Sequence, residues 1–170
     1  IFCASARILC DAAEVRFDVV AGGETAGIPF AAFLARAFGQ QLIYVRKEAK
    51  VHGTASRIEG VIAAGQRTLL VEDLITDAGS KLSFIQAIRE SRAVVEDVLV
   101  VFDLLQGVAE VLSKAGLFLH AVTDLDMALR VGENAKFLSG AEVESIRDYL
   151  REPRRWHEDQ GLTFKESLHE

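Results

Sequence analysis

Thr68-Leu69-Leu70-Val71-Glu72-Asp73-Leu74-Ile75-Thr76-Asp77-Ala78-Gly79-Ser80 is the stretch on which the fold turns. Residues 68–71 form a near-continuous apolar run, the pattern of a strand buried on both faces in a parallel sheet. Two adjacent carboxylates leave its end, a short polar loop closes on Gly79-Ser80, and residues 81–89 then read as a helix. Such a turn sets acidic groups, suited to sugar hydroxyls or a metal, beside backbone N–H groups at a helix start, where a phosphate can sit. One small ligand holding both a ribose and a phosphate uses both halves.

Outward from this turn the same alternation recurs. Residues 17–21 read as a short strand ending at Gly22-Gly23, and residues 24–29 as a loop entering a helix. That helix tolerates Pro29 in its first turn and ends near Phe38 at Gly39. Residues 42–46 are a second strand by their β-branched and aromatic content. Residues 47–57 are polar with no apolar period, which predicts a loop, with strand-like character again at 58–62. Residues 95–102 and 117–122 continue the strand series. Val108, Val111, Leu112 and Ala115 recur at helical spacing, so 107–114 is an amphipathic helix with Gly116 as its C-cap. Thr123 reads as the N-cap of a short helix over 124–130. Ser139 with Glu142 is a capping box for a helix whose face is Val143, Ile146 and Leu150.

Strands alternating with helices predict an α/β protein with a doubly wound, mainly parallel central sheet flanked by helices. The expected organisation is one domain over residues 1–150 and a charged tail over 151–170 with no clear element. In such sheets ligands bind beyond the carboxyl ends of the strands. The loops at 22–27, 46–53 and 72–80 all follow strands and are expected to converge there.

The chain has 170 residues, the size of about one domain with a proper core. Half its residues are hydrophobic, yet no apolar run approaches the roughly 20 residues of a membrane span. Ile1-Phe2-Cys3-Ala4-Ser5-Ala6-Arg7 lacks an initiator Met and is too short in its apolar part for a signal peptide, so it reads as an end that was cut or left undefined. A formal charge of −6 argues against a nucleic-acid coat. Cys3 and Cys10, two helical turns apart, read as small buried hydrophobes, in keeping with a reducing cytoplasm.

Three constellations carry chemistry. Glu72-Asp73 can hold vicinal hydroxyls or a hydrated Mg²⁺ bound through few protein ligands. The plain alternative is a solvated acidic turn whose charges suit a helix dipole. Thr76, Gly79 and Ser80 add hydroxyls and bare backbone, which favour a phosphate. Arg46-Lys47-Glu48-Ala49-Lys50-Val51-His52-Gly53 can clamp a polyanion, Arg46 as a bidentate fork, the lysines as mobile point charges and His52 as a proton donor near neutral pH; otherwise it is a solvated charged hairpin. Gly22-Gly23-Glu24-Thr25-Ala26-Gly27 permits unusual dihedrals and close ligand approach, but it is neither a P-loop nor a Rossmann fingerprint. His120, inside an apolar strand, reads as a hydrogen-bonded structural histidine, and Trp156 as a packing anchor or a frayed end.

Taken in order, these motifs resemble the type I phosphoribosyltransferases. Residues 68–80 resemble the signature with which that family binds 5-phosphoribosyl-1-pyrophosphate (PRPP). Val45-Arg46-Lys47-Glu48-Ala49-Lys50-Val51-His52-Gly53 is similar to the catalytic loop of the orotate branch, and residues 19–29 resemble that branch's first loop and helix. The resemblance implies the type I phosphoribosyltransferase fold and transfer of ribose 5-phosphate from PRPP to orotate, giving orotidine monophosphate and pyrophosphate in pyrimidine biosynthesis.

By the same resemblance Glu72 and Asp73 hold the ribose hydroxyls and help stabilise a cationic sugar. Thr76, Asp77, Ala78, Gly79 and Ser80 cradle the 5-phosphate. Arg46, Lys47, Lys50 and His52 bind pyrophosphate, and Glu24 and Thr25 complete the PRPP side. Lys50, His52 and Asp73 are the implied catalytic residues. Mg²⁺ is the implied cofactor, bridging pyrophosphate and ribose oxygens near Glu72 and Asp73, and the implied assembly is a homodimer sharing loop 46–57 across its interface. Ala78 stands where most members carry Gly; were a positive φ required there, a Cβ would cost about 1 kcal/mol. Phe102-Asp103-Leu104-Leu105-Gln106 lacks the base-contacting Arg of many orotate enzymes. Two alternatives therefore stand: a non-catalytic PRPP- or nucleotide-binding paralogue, and a phosphoribosyltransferase for another base.

Overall fold

In the computed structural model, which describes residues 1–49, 56–76 and 78–164, the chain alternates as expected between helices and strands. In chain order these are α1 (Phe2–Ala12), β1 (Val19–Gly23), α2 (Gly27–Phe38), β2 (Gln41–Val45), β3 (Ile58–Glu59), β4 (Arg67–Ile75), α3 (Gly79–Glu90), β5 (Val94–Asp103), α4 (Val108–Lys114), β6 (Phe118–Asp124), α5 (Leu125–Asn134), α6 (Gly140–Arg151) and α7 (Pro153–Asp159). The strands form one sheet in the order β3-β2-β1-β4-β5-β6. Every neighbouring pair is parallel except β2 with β3. The chain winds outward from β1 in one direction and from β4 in the other. The switch point, where such sheets leave a crevice at the strands' carboxyl ends, therefore lies between β1 and β4.

Side-chain alternation along these strands divides the core into two layers. Val19, Ala21 and Leu70 face α3 through Phe84, Ile85 and Ile88, and α4 through Leu112. Val20, Leu69, Val71 and Leu99 face the other way, onto Ala6 and Cys10 of α1 and Ala31 and Leu34 of α2. β1 is buried along its whole length, which explains its continuous apolarity. Cys10 is buried and Cys3 partly so, both as free cysteines; burial pushes the Cys10 thiol up to about 11, so it packs as a neutral group.

Four expectations shift in detail. β4 does not end before the carboxylates: Glu72 pairs with Val100, and the ladder continues to Ile75 opposite Asp103, so both acids lie on the strand. Thr123 caps no helix, because it pairs with Phe102 in β6 and α5 begins at Leu125. The strand-like segment at 58–62 contributes only the short β3. The C-cap of α4 is Ala115, with the left-handed turn at Gly116, φ 71°, one residue later.

The chain divides into two compact units, Ile1–Leu125 and Asp126–Glu170. All six strands belong to the first. In the second, Ser139 caps α6 in a capping box: its hydroxyl accepts from the Glu142 N–H while its own N–H donates to Glu142 Oε2 at 2.8 Å. That helix runs to Arg151, the first residue of the expected tail, and the described part of the tail carries α7. Trp156 anchors α7, its indole N–H donating to Ser145 Oγ at 2.9 Å and its ring edge-on to Tyr149. Among the described residues no helix is long and apolar enough to cross a membrane.

Candidate functional site

Glu72 occupies the β4 side of the switch point and is only 6% exposed. Its room comes from missing side chains on the neighbouring elements. A Cβ on Gly23, at the end of β1, would overlap Glu72 Oε1 and stand 2.5 Å from Phe84 Cε2. One on Gly27, at the start of α2, would lie 2.5 Å from both Glu72 Oε1 and the Val71 carbonyl oxygen. Neither glycine has a positive φ, so the glycine-rich turn is glycine-rich for space rather than for unusual dihedrals.

Burial, with the nearby Asp73 charge, raises the Glu72 pKa to about 7, against the pull of Lys81, the Gly23 amide and Lys47. Oε1 is buried and accepts no hydrogen bond among the described residues. Oε2 lies 4.0 Å from Lys81 Nζ, and Lys81 is itself buried in the first turn of α3. Strand alternation turns Asp73 to the face opposite Glu72. A ligand touching both carboxylates must reach around the strand's end.

The other two loops meet β4 here. Glu24 Oε2 accepts the Lys47 N–H at 2.8 Å, and the Glu24 N–H donates to the Val45 carbonyl at 2.9 Å, so the first loop is tied to the root of the basic one. The Glu24–Thr25 peptide bond is cis. The Arg46 N–H donates to the Arg57 carbonyl at 2.8 Å, while Arg57 Nε returns a bond to the Arg46 carbonyl at 2.9 Å. Arg57 Nη1 also reaches Ser83 of α3, at 3.0 Å to Oγ and 3.2 Å to the carbonyl. Arg46 Nη1 lies 3.7 Å from Glu59 Oε1.

Ala78 is the N-cap of α3, at φ −89° and ψ −13°, and no side chain caps it. That is a helix mouth in which an anion can take the capping role. The φ is negative, so the Ala78 Cβ brings none of the backbone cost that a left-handed residue would carry. Glu24, Thr25, Arg46, Lys47, Glu72, Asp73, Thr76, Ala78, Gly79 and Ser80 thus lie on the strand ends, the loops and the start of α3 at one end of the sheet. Lys50, His52 and Asp77 lie outside the described residues.

Sequence reading missed two residues here, Arg57 and Lys81. Arg57 gave no signal, because its partners lie across a loop and on another helix. Lys81 did give one: with Phe84, Ile85 and Ile88 it falls on a single helical stripe, a charge among core positions. Asp103 is buried at the end of β5 and accepts the Leu105 N–H at 2.8 Å, closing a turn in which Leu105 has φ 57°. His120 is structural as expected, its Nε2 at 2.7 Å from Asp97 Oδ1.

No family model matches the chain. It is 40% identical over 153 residues to an orotate phosphoribosyltransferase of Roseobacter denitrificans, covering 89% of this chain and 68% of the relative. To the enzyme of that name from Cereibacter sphaeroides it is 46% identical over 156 residues, covering 89% and 66%. It thus spans about two thirds of the length of these relatives. Its fold is similar to that of Mycobacterium tuberculosis orotate phosphoribosyltransferase solved in complex with PRPP, with a TM-score of 0.62 and 30% identity over 74% of each chain. With relatives this similar over most of its length, and a mainly parallel sheet switching direction beside a buried glutamate, the chain belongs to the orotate phosphoribosyltransferase family.

Proposed function

We infer that this chain transfers ribose 5-phosphate from PRPP to orotate, releasing pyrophosphate and giving orotidine monophosphate. The observation that carries this reading is the Glu72 carboxylate, buried at the switch point with Oε1 unpartnered among the described residues. A buried acceptor without a donor is costly, and a ribose hydroxyl is a donor of the right kind. The 5-phosphate then falls to the mouth of α3, at residues 76–80, where backbone N–H groups and the helix dipole favour an anion.

The chemistry follows from the charges. Loss of pyrophosphate leaves an electron-poor sugar, which the carboxylates of Glu72 and Asp73 stabilise as its charge develops. Arg46, Lys47, Lys50 and His52 counter the charge growing on the leaving group. Glu24 fixes the root of that basic segment through the Lys47 amide.

Magnesium fits the donor set. Glu72 and Asp73 offer hard oxygens to its hydration shell, and PRPP brings the remaining oxygens itself. When bound, the ion supplies positive charge beside the departing pyrophosphate. The working assembly in this reading is a cytoplasmic homodimer in which loop 46–57 serves the neighbouring subunit's site.

The test is to supply PRPP, Mg²⁺ and a panel of pyrimidine and purine bases and to assay pyrophosphate. Release with orotate is expected. Release only with another base would reassign the acceptor. Calorimetric PRPP binding with no release for any base would identify a binding paralogue.

A further inference from the structure

Lysine is among the residues least often buried, and an ammonium taken out of water is strongly disfavoured unless it is paired. Lys81 is 7% exposed and shares its helical stripe with Phe84, Ile85 and Ile88. An apolar residue would satisfy that stripe without the cost, so packing alone does not account for a lysine here. The carboxylate that faces it is Glu72, with Oε2 at 4.0 Å from Nζ. That separation exceeds hydrogen-bond length, so the pair attracts without locking. The other charges acting on Glu72 are Asp73 on the same strand and Lys47 from the basic loop.

We propose that Lys81 is a positioning residue for PRPP: by drawing Oε2 toward α3 it holds the Glu72 carboxylate in the space that Gly23 and Gly27 leave open, at the ribose end of the site. This rests on the assignment of Glu72 to the ribose made above. Geometry gives the arrangement a purpose. Lys81 lies two residues after Gly79, on the helix whose mouth takes the 5-phosphate. One rigid element therefore sets both the phosphate cradle and the counter-charge of the hydroxyl-binding carboxylate, and so fixes the distance between the two ends of the sugar phosphate.

The experiment is a double-mutant cycle on the full chain, read as Michaelis constants for PRPP and orotate. Lys81→Met is expected to raise the PRPP constant by about tenfold or more while the orotate constant stays within about twofold. Made on top of Glu72→Gln, the same substitution is expected to change the PRPP constant by less than about twofold, because the group it acts through has already lost its charge. Equal fold-changes in the two backgrounds overturn the proposal, as does a parallel rise in both constants. If Lys81→Met does not yield folded protein, Lys81→Gln runs the same cycle with a polar, uncharged side chain. A wild-type chain that releases no pyrophosphate with orotate would strike the functional reading itself, whereas an active wild type with an additive cycle strikes only the role of Lys81.

Discussion

Gly23 and Glu72 compete for one volume. They stand level on neighbouring strands, next to the paired Gly22 and Val71, and a Cβ on residue 23 would overlap the Glu72 carboxylate. Gly23→Ala must move either that carboxylate or the Phe84 ring, which stands 2.5 Å from the same point. Overpacking of this kind costs about 1–3 kcal/mol. Because the displaced group is the proposed ribose ligand, PRPP affinity should fall by about tenfold as well. A thermal melt and a PRPP titration on the variant check this; unshifted values in both would mean that the carboxylate has another place to go.

Glu72 also predicts a pH dependence. Its pKa is raised from 4.5 to about 7, so between those values the folded chain holds a proton that the unfolded chain has lost. The stabilisation from this group is therefore complete below about pH 4.5 and is lost as pH rises through about 7. A shift of this size corresponds to roughly 3 kcal/mol as an upper figure. Ribose hydroxyls donating to the ionised carboxylate favour its charged form, so PRPP binding near pH 7 should release a proton. Calorimetry in buffers of different ionisation enthalpy measures that proton, and Glu72→Gln should abolish it.

Much of this was readable in the residues because its causes are local. The apolar run at 68–71 gave a buried parallel strand, and Gly39 after a helical apolar period ended α2 at the position expected, in a left-handed turn with φ 67°. The end of β4 was misread for a non-local reason. A carboxylate pair in an apolar run looks like a strand leaving the core, but β5 pairs alongside and Lys81 supplies a counter-charge, so Glu72 stays in the sheet and buried. The glycines were rightly singled out, but the unusual dihedrals offered for them do not occur: Gly23 and Gly27 make room for the side chain of Glu72, 45 or more positions away in the chain. Arg57 was invisible for the same reason: its bonds span 11 residues to Arg46 and 26 to Ser83.

Those bonds make Arg57 the next test. Its guanidinium joins the root of the basic loop to α3, and Arg57→Ala removes the donor to the Arg46 carbonyl and to Ser83 together. Hydrogen bonds to a charged group are worth about 1.5–3 kcal/mol, so a loss of about 2 kcal/mol in denaturant unfolding is expected. Because Arg46, the proposed pyrophosphate contact, is expected to lose its fixed position, turnover should fall more than orotate affinity does. Intact turnover alongside the stability loss would confine Arg57 to a structural part.

Ala78 provides a prediction with the opposite sign from the one its position suggests. The family resemblance sets a Gly at this position, and reverting it looks like an improvement. Its φ of −89° is ordinary for any residue, and its side chain packs against the core cluster that includes Phe84 and Ile85. Ala78→Gly therefore relieves no strain, while it frees the unfolded chain and removes a packed methyl group. The variant should be less stable by about 1 kcal/mol, with PRPP affinity unchanged within about twofold. A melting temperature that rises, or PRPP binding that tightens well beyond that margin, would show that the methyl group obstructs the mouth of α3.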